Sequence, residues 1–126
     1  MNKAIKTENA PKAIGPYNQA IQTNNGFLFV SGQIPVCPQT GKVAEGITEQ
    51  TEQSLKNVEA ILKEAGYSVN DVVKTTCLLN SMDDFKAMNE VYAKHFTQTL
   101  PARAAFAVEK LPMGVLVEIE CIAFKG

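Results

Sequence analysis

The chain carries a single arginine, Arg103, among eleven lysines. An arginine side chain is a planar fork that grips a carboxylate through two parallel hydrogen bonds, which a lysine cannot do. Arg103 follows Pro101-Ala102 and precedes Ala104-Ala105-Phe106, so it opens an apolar segment and needs a partner. Two readings stand at this point: a ligand carboxylate, or a structural salt bridge to Glu118 or Glu120. Those two glutamates alternate with hydrophobic residues near the C-terminus. A carboxylate in apolar surroundings has a raised pKa and can move protons near neutral pH; on an exposed edge strand it would simply be solvated. Tyr17, after Gly15-Pro16, could close a pocket with its ring or serve only to pack. Ser31-Gly32 ends an apolar run, where a glycine lets the backbone approach a ligand or makes a turn. Asn89 and Tyr92 are three residues apart, hence on one face of a helix, where packing is the plainer reading.

Other chemistries lack their residues. His95 is the only histidine and falls on a predicted helix among hydrophobes, so a histidine-rich metal site is excluded, and a Ser-His-Asp arrangement would have to use His95. The chain has no GxGxxG, Walker, HExxH or GxSxG pattern, and we expect neither metal nor cofactor. Cys37, Cys77 and Cys121 are odd in number and lack CxxC spacing, which points to reduced thiols rather than disulfides or a zinc knuckle. Cys77 and Cys121 alternate with hydrophobes as buried small residues do; Cys37 lies in a proline-flanked loop. The net charge of −1 makes nucleic acid an unexpected partner. Neither a bilayer-spanning apolar run nor a secretory signal is read, so the expected location is the cytoplasm.

The elements that must position these residues can be read from periodicity. A chain of 126 residues, 45% hydrophobic, fits one domain with its own core. Residues 2–7 predict an edge strand. Residues 19–23 and 27–31 predict a hairpin around Asn24-Asn25-Gly26, and residues 32–46 a loop. Ile47, Thr51, Leu55, Val58, Leu62 and Ala65 recur at helical spacing and Gly66 follows as a stop, which predicts a helix over 47–65. Residues 72–80 predict a strand. A second helix is expected after Ser81, with Asp84 completing a capping box, and carries Phe85, Met88, Tyr92 and His95 or Phe96 on one stripe. Residues 103–108 and 116–124 predict the last strands. The order argues for an α+β fold in which two helices cover one face of a mixed sheet. In the last strand, Val117, Ile119, Cys121 and Ala123 share one face. Leu116, Glu118, Glu120, Ile122 and Phe124 share the other, which is also largely apolar. Two helices cannot cover both faces of a sheet, so self-association is expected, with the glutamates near subunit boundaries.

Several segments together carry a resemblance: AIGPYNQAI (13–21), VSGQIP (30–35), EQTEQSLKNVEAILKEAG (49–66), MNEVYAKHF (88–96), LPARAAFAV (100–108) and LPMGVLVEIECIAF (111–124). They closely resemble the YjgF family, over essentially the whole chain and in order. Retention of the arginine as Arg103 places the chain with the family's reactive intermediate imine deaminase branch. The resemblance implies a chorismate-mutase-like α+β fold, assembled as a homotrimer whose sheets face inward and whose clefts lie between subunits. It implies that Arg103 grips the substrate carboxylate, that Ser31 and the backbone near Gly32 line the site, that Glu118 positions or activates the attacking water, and that Tyr17 caps the cleft, reaching from the adjacent subunit. Asn89 and Tyr92 are implied to lie near the pocket. Many members have Ser or Thr and then Cys after the arginine; here Ala104 and Ala105 stand there, and the backbone N–H of Ala105 could still contact the substrate. Asn18 replaces a common serine. The implied reaction is cofactor-free hydrolysis of 2-aminoacrylate and 2-aminocrotonate, through their imines, to 2-keto acids. The competing readings are a non-enzymatic 2-keto acid sensor, an RNA-cleaving protein and an oxidation-activated chaperone.

Overall fold

The computed structural model describes residues 1–126. Three strands open the chain: β1 (Lys3–Ile5), β2 (Ala20–Gln22) and β3 (Phe27–Gln33). The β2–β3 turn closes at Asn24-Asn25-Gly26, with Gly26 at φ +101° and the Thr23 N–H donating to Phe27 O at 2.8 Å. A positive φ of this kind is what an Asn-Gly turn supplies. β3 runs two residues beyond its expected end, through Gly32 to Gln33.

Helix α1 (Gly46–Glu64) follows. It stops as its sequence predicts. Gly66 takes φ +84°, its N–H donates to Lys63 O, and that of Tyr67 donates to Leu62 O, the paired bonds of a Schellman end. Its buried side is more polar than the periodicity implied. Gln50, Thr51, Ser54 and Asn57 are buried beside Leu55, Val58, Ile61 and Leu62. The amides have work to do there. Gln50 donates to Ala44 O at 3.0 Å and accepts from the Leu116 N–H at 2.7 Å. Asn57 donates to Ile34 O at 3.1 Å and Val36 O at 3.0 Å. The loop of residues 34–44 is thereby tied to α1.

β4 (Val72–Leu79), α2 (Phe85–His95), β5 (Ala102–Ala107) and β6 (Val117–Phe124) complete the chain. The expected capping box at Ser81 does not close. Ser81 accepts from the Asp83 N–H, a 3-10 turn occupies Met82–Asp84, and α2 begins only at Phe85. A closed box forms instead at Ser68 and Asp71, ahead of β4.

The strands form one mixed sheet in the order β1-β2-β3-β6-β4-β5. Only β4 and β5 are parallel, and α2 is the crossover that a parallel pair requires. Both helices cover one face, α1 on β3, β6 and α2, as the order of elements predicted. On that face Val117, Ile119, Cys121 and Ala123 are at most 2% exposed. The expected alternation of β6 is therefore observed. Burial pushes the Cys77 and Cys121 thiols up to about 11 and about 12, while Cys37 is half-buried in its loop. The opposite face is uncovered. Phe29, Phe106 and Phe124 are exposed on it, and the Phe124 ring lies 4.8 Å from that of Phe27. No helix is long and apolar enough to cross a membrane.

Candidate active site

Arg103 projects from β5, the last strand on its side of the sheet. Its register partner is Thr75 on β4. Thr75 is buried under the helices, so alternation puts Arg103, Ala105 and Ala107 on the helix side. There the guanidinium meets α2. Its Nη1 donates to Asn89 Oδ1 at 2.6 Å, and its Cζ lies 4.9 Å from the Tyr92 ring centroid and 5.4 Å from that of Phe85. The Tyr92 hydroxyl is in turn 2.7 Å from Thr75 Oγ1. Asn89 and Tyr92 thus touch Arg103 directly, because the three-residue spacing on α2 turns both toward β5.

Arg103 is exposed and has no carboxylate within ion-pair distance; both carboxylate pairings in the chain belong to His95. The internal salt bridge to Glu118 or Glu120 is not formed. One edge of the fork is held by Asn89 and the rest faces outward. The Val108 N–H donates to Leu79 O, so the alternation of a parallel ladder directs the Ala105 N–H off the free edge of β5, beside that fork.

Glu118 stands elsewhere. It pairs in register with Leu78 and projects to the uncovered face. β3 loses register with β6 between Val30 and Gln33, which leaves Ser31-Gly32 as a bulge against Glu118. Only glycine leaves the Glu118 carboxylate where it stands: a Cβ on Gly32 would overlap Glu118 Oε2 and come 2.9 Å from its Cδ. Burial pushes the Glu118 carboxyl above the usual range, and the neighbouring Glu120 charge adds to the rise. The Ser31 hydroxyl donates to Asn18 O at 2.6 Å, and its backbone N–H to Gln19 O. Tyr17, 49% exposed, borders a depression of about 460 Å³ that it shares with Phe29, Ser31, Glu120 and Ile122. The expected site residues thus fall into two clusters. Arg103, Asn89, Tyr92 and Ala105 form one at the β5 edge; Glu118, Gly32, Ser31 and Tyr17 form the other on the open face.

Two residues that the sequence reading passed over hold these clusters in place. Gln19, 4% exposed, donates to Thr7 O, Ala10 O and Pro11 O and accepts from the Thr7 N–H at 2.7 Å, fastening the loop that leads into Tyr17. Thr75 anchors the Tyr92 ring. A glutamine and a threonine flanked by apolar residues in strand segments are the signal that could have marked them, since a buried polar side chain must find a partner. His95 serves no triad. Its Nδ1 lies 2.6 Å from Glu59 and its Nε2 3.0 Å from Glu52, and these carboxylates raise its pKa. No three His, Cys, Asp or Glu side chains converge as metal ligands.

Residues 7–125 match the family model described as endoribonuclease L-PSP. The chain is 56% identical over 126 residues to a RutC family protein of Pyrococcus horikoshii, with 99% of each covered. It is 49% identical over 127 residues to the 2-iminobutanoate/2-iminopropanoate deaminase of Mus musculus, covering 100% of this chain and 93% of the mouse protein. The crystal structure of E. coli TdcF with bound serine shares the fold at a TM-score of 0.93 and 43% identity, covering 98% of this chain and 99% of that one. With the match spanning both clusters and the strands from β2 to β6 that carry them, the chain belongs to the endoribonuclease L-PSP family, also known as the YjgF/RidA family.

Proposed function

We propose that this protein is a deaminase that hydrolyses 2-imino acids, formed from 2-aminoacrylate and 2-aminocrotonate, to 2-keto acids and ammonia. The observation that carries the reading is the Arg103 guanidinium: exposed, unpaired with any carboxylate, and held by Asn89 and two aromatic rings so that its free edge can fork a substrate carboxylate. The name of the mouse relative and the serine bound by E. coli TdcF, an amino acid carrying such a carboxylate, support it.

In this reading Arg103 holds the carboxylate and the Ala105 N–H contacts it. The imine carbon is thereby oriented, which supplies catalysis by proximity. Glu118, its affinity for protons raised by its surroundings, takes a proton from the attacking water. Water adds to the C=N carbon to give a carbinolamine. The nitrogen takes back the proton held by Glu118; the carbinolamine hydroxyl then gives up its own proton, the nitrogen takes that one up, the C–N bond breaks, and ammonia leaves a ketone behind. Ser31 and Gly32 keep Glu118 in place and Tyr17 covers the substrate. The working unit in this reading is the homotrimer that the family resemblance implies; the placement of Arg103 and Glu118 on different faces and the uncovered aromatic face support association between copies. RNA cleavage is disfavoured, since the one histidine is clamped between two carboxylates that would repel a phosphodiester.

The test couples the protein to a threonine dehydratase and follows 2-oxobutanoate release. Faster release supports the enzyme. Unchanged release with saturable 2-oxobutanoate binding would make the protein a sensor instead.

A further inference from the structure

Beneath Arg103 lies a residue that no substrate could touch. Thr75 is completely buried, occupies the β4 position paired with Arg103, and places its hydroxyl 2.7 Å from Tyr92 Oη. Tyr92 is itself 7% exposed, and burial keeps its phenol protonated. A tyrosine ring fixed only at its Cβ can tilt and swing. A hydrogen bond at the far end of the ring removes that freedom. The ring then presents one fixed face, and the Arg103 guanidinium lies against it. The Asn89 carbonyl oxygen holds one nitrogen of the fork at 2.6 Å. A fork grips a carboxylate bidentately only when its plane is set in advance, because ordering it on binding would reduce affinity.

We propose that Thr75 is a positioning residue for substrate carboxylates: acting through Tyr92, it sets the plane of the Arg103 fork and thereby ligand affinity, not the chemical step. The inference rests on the reading of Arg103 as the carboxylate anchor. It goes further by giving a buried threonine control over KM.

Thr75→Val preserves shape and strand preference but deletes the hydroxyl; Thr75→Ser preserves the hydroxyl. The net value of one hydrogen bond predicts that Thr75→Val raises KM, and the Kd for 2-oxobutanoate measured by calorimetry, about three- to tenfold. The value of kcat should stay within about twofold, and Thr75→Ser should restore wild-type values. Thr75→Val leaves the Tyr92 hydroxyl buried without a partner, which lowers stability in its own right. The double variant Thr75→Val/Tyr92→Phe removes both polar groups and relieves that penalty, yet it should show the same loss of affinity. Arg103→Ala is the control. If it abolishes 2-oxobutanoate binding while Thr75→Val and the double variant bind as wild type, Thr75 has no positioning role although the anchor stands. If Arg103→Ala itself binds normally, the anchor falls and the inference with it.

Discussion

Arg103 and Glu118 stand on opposite faces of one sheet. Arg103 pairs in register with Thr75, which points beneath the helices; Glu118 pairs with Leu78, three residues farther along the same strand, which points to the uncovered face. An odd separation along an unbroken strand reverses the face. A substrate of a few atoms cannot reach both side chains in one chain, so a catalytic pairing of the two requires the arginine of one copy and the glutamate of another.

Mixed assembly tests that requirement. Arg103→Ala and Glu118→Gln should each lower kcat/KM by about 10²-fold or more when assayed alone. Refolded together in equal amounts, the two should regain activity, because a site formed by the arginine of a Glu118→Gln chain and the glutamate of an Arg103→Ala chain is intact. With random assembly around a closed ring this is about a quarter of the sites. A mixture no more active than its components would show that one chain supplies the whole site.

Gly32 sets the place of Glu118. In Gly32→Ala the new methyl group would take the space of the carboxylate. The displaced atoms end a flexible side chain, so the fold should tolerate the change and the urea midpoint should remain near that of the wild type. The carboxylate must swing away, and a shift of about 1 Å at a reacting group costs on the order of 10²-fold in rate. A variant with normal kcat would mean that Glu118 does not act from the position seen.

The pH dependence of turnover should carry the mark of the same carboxyl. Burial and the Glu120 charge both raise its pKa, and a general base works only when ionised. Activity should therefore fall as pH drops through a value above the ordinary carboxyl range. Glu120→Gln removes the like charge and should shift this acid limb to lower pH, and Glu118→Gln should abolish the limb along with most of the rate. An acid limb unmoved by Glu120→Gln would assign it to another group.

Much of the frame was legible because its signals are local. Val117, Ile119, Cys121 and Ala123 alternate within one strand, Gly66 ends α1 by its own backbone, and Asn25-Gly26 makes a turn within four residues. Arg103 stood out as a candidate carboxylate anchor because it is the single guanidinium in the chain, and within the chain it has no carboxylate partner. The division of the site was not. Whether Arg103 and Glu118 share a face depends on the register of β5 and β6 against β4, which no local pattern encodes. The buried amides were hidden for the same reason: Gln50 accepts from Leu116, 66 positions away, and nothing near Gln50 in sequence announces that partner. Ser81 shows the converse, a local capping signal overridden by the tight 3-10 entry into α2.

His95 should couple the position of α2 to pH. It joins the end of that helix to Glu52 and Glu59 of α1, and only the doubly protonated ring can donate to both carboxylates. Hydrogen bonds and charge from Glu59 and Glu52 raise its folded pKa above the unfolded value near 6.5, outweighing the opposing effect of burial. A raised folded value means that the folded state binds the proton more tightly. The contribution to stability is therefore complete below about pH 6.5 and is lost as pH rises through the higher folded value. The urea midpoint of the wild type should decline across that window, while that of His95→Gln, whose amide cannot titrate, should show a flatter profile. Because α2 carries Asn89 and Tyr92, loosening its end should also raise KM on the alkaline side in the wild type more than in the variant. Matching stability profiles for the two proteins would remove His95 from any part in the pH dependence.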